Sequence, residues 1–265
     1  MENTAKSANL DLNLSQRLHR ALTAEKEELY RVLDDPSMEV VRAALKNPAL
    51  DGNHLLAVLR RRDLSEEVLK AVYRLDMVAG SHPLLVAITH NPAVPGSLLA
   101  VLLPNLYLFE LVALCYLPGA TPDQKVAAER VIIRRLPVTP LGNKLVLARR
   151  ATSSVADSLM REGDPRLMEA CLSNPHLKES SIYAFINGPS ASPETISMVA
   201  RHPRWKNRLN LQLAILKNPK TPGVWFTLFL SHLNLHDVKE LEMSQRLTPA
   251  QKRLVGEELK RRSRV

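Results

Sequence analysis

Two histidines four residues apart, His232 and His236, are the nearest approach to a metal-binding pair in this chain. Residues at that spacing share a helix face, and Asp237 or Glu240 could complete a zinc shell. Leu233 and Leu235 interleave them, and no glutamate follows the first histidine. A solvated helix end accounts for the pair better. Glu25, Glu27, Glu28, Asp34, Asp35 and Glu39 form an acidic group whose paired carboxylates could run acid–base chemistry. On a first helix, such a run serves as the polar outer face that the end of a repeat stack requires. Phosphate-cradling Gly-rich loops, a Gly-x-Ser-x-Gly elbow and Cys-x-x-Cys pairs are all lacking. Cys115 and Cys171 sit in apolar segments and read as small buried hydrophobes in a reducing cytoplasm. The sequence therefore assigns no catalytic residue, no metal ligand and no cofactor.

Positive charge is the more informative signal. The net charge is +9, and it is uneven. Residues 199–220 carry Arg201, Arg204, Lys206, Arg208, Lys217 and Lys220 with no acid among them. Residues 123–150 add Lys125, Arg130, Arg134, Arg135, Lys144, Arg149 and Arg150, and the last twenty residues are also basic. On one rim of a helical stack, these would form a stripe suited to an acidic partner or a phosphate backbone. Arg201, Arg204 and Arg208 could share a face around Trp205, whose ring could stack on a base or on an arginine. The candidate partner- or nucleic-acid-binding residues are thus Arg134, Arg135, Arg149, Arg150, Arg201, Arg204, Trp205, Lys206 and Arg208. The competing explanation is structural: helix C-termini favour Lys and Arg through the dipole, and solenoid surfaces need charge for solubility. Aromatic residues make up only 4% of the chain, which is thin for a single-strand binder.

The elements that must position these residues repeat. Four segments join an apolar helix face to Asn-Pro and then to a second apolar run, at Asn47-Pro48, Asn91-Pro92, Asn174-Pro175 and Asn218-Pro219. A residue before proline is pushed out of the α region, so each first helix must end there, and asparagine can bond a freed backbone group. Asn47 and Asn91 are 44 residues apart, as are Asn174 and Asn218, and 83 residues separate the inner pair. A small residue, Ala43, Ala87, Ala170 or Ala214, stands four positions before each asparagine, where it lets a neighbouring helix approach. Leu136-Pro137-Val138-Thr139-Pro140 reads as a degraded copy in the long gap, giving about five units. Further helix starts are expected at Ser65, Thr121, Ser192 and Thr248, each a cap before a proline or an acid. Alternating β-branched runs are almost absent, so no sheet is predicted.

The stretch Asp35-Pro36-Ser37-Met38-Glu39-Val40-Val41-Arg42-Ala43-Ala44-Leu45 resembles the first helix of a HEAT repeat. The Asn-Pro-x-x-Pro turn before a leucine-rich helix resembles the leucine-rich repeat variant, a related α-solenoid, across roughly residues 34–245. The iron–sulfur cluster of that family's prototype is not carried over, because no cysteine precedes Cys115. What the resemblance implies is an all-α, HEAT/armadillo-like α-solenoid that scaffolds partners. The expected layout is a loose arm over residues 1–13, helical repeats over 14–245, and a basic C-terminal helix or cap over 246–265. Met1 to Asn13 lacks the apolar core of a secretory signal. The longest apolar stretch, residues 98–117, is broken by Pro104, Asn105 and Glu110, so no membrane span and a cytoplasmic location are expected. The first functional expectation is a non-enzymatic scaffold or adaptor for another protein. The second is a nucleic-acid-binding helical-repeat protein, and the third is a base-excising enzyme, for which no motif is matched.

Overall fold

The computed structural model describes residues 2–263, with side chains from Asn13 onward. Arg264, part of the expected basic cap, lies outside the described residues. The chain divides into two compact units, residues 1–132 and 133–265. The first carries α1 (Glu2–Thr23), α2 (Lys26–Leu33), α3 (Met38–Ala44), α4 (Gly52–Val58), α5 (Glu66–Tyr73), α6 (Asp76–Ala79), α7 (His82–His90), α8 (Gly96–Leu102) and α9 (Leu108–Tyr116). The boundary falls inside α10 (Pro122–Arg135). The second unit continues with α11 (Leu141–Arg150), α12 (Ser153–Met160), α13 (Pro165–Leu172), α14 (Glu179–Ile186), α15 (Pro193–Arg201), α16 (Leu209–Leu216), α17 (Gly223–Leu230), α18 (Leu235–Met243) and α19 (Pro249–Arg262). Among the described residues there is no strand, so the fold is all-helical. Nor is any helix among them long and apolar enough to cross a membrane.

Local chemistry sets the helix ends. Ser65, Ser192, Asn234 and Thr248 each accept a backbone N–H from the first turn of the helix they precede. Proline opens α10, α13, α15 and α19, where its missing N–H costs nothing. The helix expected from Leu14 begins at Glu2 instead, so residues 2–13, expected as a loose arm, are helical. Leu10, Leu14, Leu18 and Leu22 recur every four residues and continue one helical pattern through that stretch. His202-Pro203 lies at a turn, and α16 starts only at Leu209.

Each unit packs its helices in two rows. In the first, α1 contacts α3 and α3 contacts α5, while α2 contacts α4 and α4 contacts α7. In the second, α11, α13 and α15 form one succession and α12, α14 and α16 the other, with α19 closing against α17 and α18. Leu29, Leu55, Leu69, Leu84 and Ile88 in the first unit, and Leu159, Ile182, Ile196 and Phe226 in the second, are fully buried between these rows. Each contributes roughly 1.5–3 kcal/mol by leaving water.

The two units repeat each other in register. α2 and α12 begin 127 residues apart, and the same offset relates α3 to α13, α4 to α14, α5 to α15, α7 to α16, α8 to α17, α9 to α18 and α10 to α19. It also relates Asn47 to Asn174, Asn91 to Asn218, and Thr121-Pro122-Asp123-Gln124 to Thr248-Pro249-Ala250-Gln251. The 44-residue spacing is therefore nested inside a 127-residue one. The stretch expected to be a degraded third copy, Leu136 to Leu147, is instead the counterpart of residues 9–20, and α11 is the counterpart of the end of α1.

Candidate partner-binding surfaces

The Asn-Pro turns are built from inside. All four asparagines are buried. The Asn47 amide donates to the carbonyls of Ala21 and Ala24, each at 3.0 Å, closing the C-terminus of α1. Asn91 closes α4 in the same way, donating to Leu59 at 3.1 Å and Arg61 at 2.6 Å. Asn174 closes α11 through Ala148 at 2.8 Å and Ala151 at 2.9 Å, and Asn218 reaches Ile186 at 2.5 Å. Each Oδ1 meanwhile accepts the N–H two residues on, at Ala49, Ala93, His176 or Lys220. The last carbonyls of a helix have no partner within it, and a buried primary amide from the next pair supplies one. Two glutamines complete the series. Gln124 donates to Thr89 and Asn91, and Gln251 to Asn218, Pro219 and Thr221, while each Oε1 accepts the N–H of its own cap threonine.

Cations perform the same service, and this redistributes the candidate binding residues. Trp205 is 3% exposed; its indole N–H donates to the Leu172 carbonyl at 3.0 Å. The Arg204 guanidinium lies 4.3 Å from its ring centroid. Arg204 thus stacks on Trp205 within the fold, and the buried ring offers little surface to a base. Arg204 itself donates to the carbonyls of Asn174 at 2.6 Å, Pro175 at 3.1 Å and Leu177 at 3.2 Å. Lys220 donates to Pro189 and Ala191, Lys217 pairs with Glu240 at 2.7 Å, and Arg208 sits 3.9 Å from Glu179. Of the basic run 199–220, that leaves Arg201 and Lys206 exposed, with no side-chain partner among the described residues. Arg135 is engaged, whereas Arg134 in α10 and Arg149 and Arg150 at the end of α11 are exposed. Lys144, beside them in sequence, pairs with Glu162 at 2.7 Å.

The remaining chemistry-bearing candidates are equally local. Glu240 is held below the usual carboxylate range by its bond to Lys217, and the Asn234 side chain caps α18 through the Asp237 N–H. Among the described residues, no group of three or more His, Cys, Asp or Glu side chains is placed to hold a metal ion. In the acidic group, Glu28 pairs with Arg20, and Asp35 lies 3.4 Å from Arg17. Burial pushes the Cys115 and Cys171 thiols up to about 12.

Beside a groove of about 570 Å³ between α18 and α19, two more open between neighbouring helices. One, of about 560 Å³, lies between α3 and α5; Ala43 and Ala71 form part of its floor, and Arg42, Lys46 and Arg74 surround it. The other, of about 530 Å³, lies between α14 and α16, where Tyr183 is 49% exposed beside Leu213 and Ala214, with Glu179 and Lys217 also lining it. Both contain one of the alanines that precede the asparagines by four. No protein-family model, curated protein or solved structure matches this chain.

The sequence reading missed Arg42, Lys46, Arg74 and Tyr183. Their signal lies in the 127-residue offset, which compares each residue with a counterpart under similar packing. Arg74 recurs as Arg201, but Arg42 is matched by Glu169 and Lys46 by Ser173.

Proposed function

We propose that the protein is a non-enzymatic scaffold or adaptor, built as a HEAT-like α-solenoid, that holds segments of another protein in the grooves between neighbouring helices. The two rows of short helices within each unit support the solenoid reading. The observation that carries the binding reading is the α14–α16 groove. A half-exposed tyrosine stands there over an apolar floor, with a carboxylate and an ammonium group at the edge. Aromatic anchors set in concave apolar surfaces with polar rims are the usual centres of protein–protein contacts. Nucleic-acid binding, the alternative, has less support. The ring offered for stacking is buried, Arg204 and Lys220 are tied to backbone carbonyls, and Lys217 is paired with Glu240.

A photocrosslinking residue at position 183 tests this reading. The expected result is a discrete protein adduct from native extract, resistant to nuclease and lost when Leu213→Asp places a charge on the groove floor. A nuclease-sensitive adduct, or one unchanged by Leu213→Asp, would refute it.

A further inference from the structure

We propose that the α3–α5 groove of the first unit takes an acidic peptide segment of a protein partner; this rests on the partner-binding reading above and adds the partner's chemistry. Arg42 lies in the last turn of α3 and Lys46 in the turn that follows it, and Arg74 stands at the end of α5 across the groove. All three are exposed, and among the described residues none is hydrogen-bonded or ion-paired to a carboxylate. Arg42 does act over a longer distance on Glu67, whose carboxylate is lowered mainly by its own backbone N–H and by Ser65. This sets the three apart from Arg61, Arg204, Lys220 and Arg262, whose cationic groups are tied to backbone carbonyls.

The second unit serves as an internal control. It builds the same helix pair, α13 and α15, with Glu169 where the first has Arg42, Ser173 where it has Lys46, and Met198 where it has Ala71. Met198 is buried. The architecture thus requires neither the two cations nor the small residue on the floor. Together those three differences give the first unit an open groove whose free charge is mainly positive. Glu39 in the lining, with Glu67 nearby, disfavours a ligand carrying a charge on every unit, such as a phosphate backbone. Among the described residues, no aromatic ring on which a base could stack lines the groove. A peptide with spaced carboxylates and small apolar side chains suits both the floor and the rim.

The test is fluorescence anisotropy with the full chain and a labelled peptide of repeating Glu-Leu-Glu-Ala. Its lysine-for-glutamate counterpart and labelled single-stranded and duplex DNA form the other arms. The double substitution Arg42→Glu with Lys46→Ser installs residues that the second unit already carries, and circular dichroism checks that it folds. The expected result is binding of the acidic peptide that weakens at least about tenfold in the double variant, with no binding of the basic peptide. Absence of acidic-peptide binding, equal binding by the variant, or preferential DNA binding lost in that same variant would each overturn the proposal. If the peptide fails while the adduct at position 183 persists, only the groove assignment falls. If both fail, the partner-binding reading falls with it.

Discussion

Asn174→Ala is the substitution whose cost follows most directly from the structure. The side chain is fully buried and makes three hydrogen bonds: two donated to the Ala148 and Ala151 carbonyls, and one accepted from the His176 N–H. Each bond is worth about 1 kcal/mol net, and a buried carbonyl left without a partner costs about 1–3 kcal/mol. Ala148 and Ala151 are themselves buried, so water does not readily replace the lost amide. The expected destabilisation is about 4 kcal/mol, a large share of the roughly 5–15 kcal/mol that holds a typical domain together. Urea unfolding followed by circular dichroism reads it out. At a slope of about 2–3 kcal/mol per molar urea, the midpoint falls by about 1.5 M. Ser173→Ala, at the neighbouring exposed residue, should change it little. An Asn174→Ala midpoint within about 0.3 M of the parent would refute the view that these amides close the preceding helices.

Trp205 separates packing from hydrogen bonding. Trp205→Phe should cost about 1–2 kcal/mol by orphaning the Leu172 carbonyl, and Trp205→Ala about 3–5 kcal/mol, both read from thermal unfolding. Asp51 sets an acid limit. Bonds to Lys26 and to the His54 N–H hold its carboxyl well below the ordinary 3.8, so its stabilisation is present above that value and is lost as pH falls below it. The melting temperature of the parent should drop more steeply than that of Asp51→Asn between about pH 5 and pH 2. Cys115 and Cys171, pushed up to about 12 by burial, should resist a thiol reagent at about pH 8 in the native protein and react on unfolding.

Much of the fold was legible because its signals are local. Proline and apolar spacing fix where helices stop and which face they bury, and Asn-Pro marks four helix ends without ambiguity. The 127-residue repeat was hidden by its own parts. Two 44-residue intervals on either side of an 83-residue gap suggested a uniform array, and Leu136-Pro137 resembled a worn copy of the turn. The matched Thr-Pro-x-Gln starts carried the clue, since a glutamine three residues after a cap threonine completes a capping box and still has an amide to give.

The candidate site was less legible. Charge density along the sequence does not distinguish an arginine facing solvent from one facing three carbonyls, and Arg204 is of the second kind. Trp205 looked available beside so many cations, yet the same neighbour that seemed to advertise it covers its ring. Arg42 and Lys46 fell outside the densest windows, and only their replacement by Glu169 and Ser173 in an equivalent helix distinguishes them.

The Asn-Pro turns do internal work: their buried amides close the ends of neighbouring helices. Hydrogen exchange of asparagine side-chain amides, followed by NMR, tests this most directly. The amides of Asn47, Asn91, Asn174 and Asn218 should exchange far more slowly than those of the exposed Asn207 and Asn210. Exchange of all six at the same rate would contradict that role.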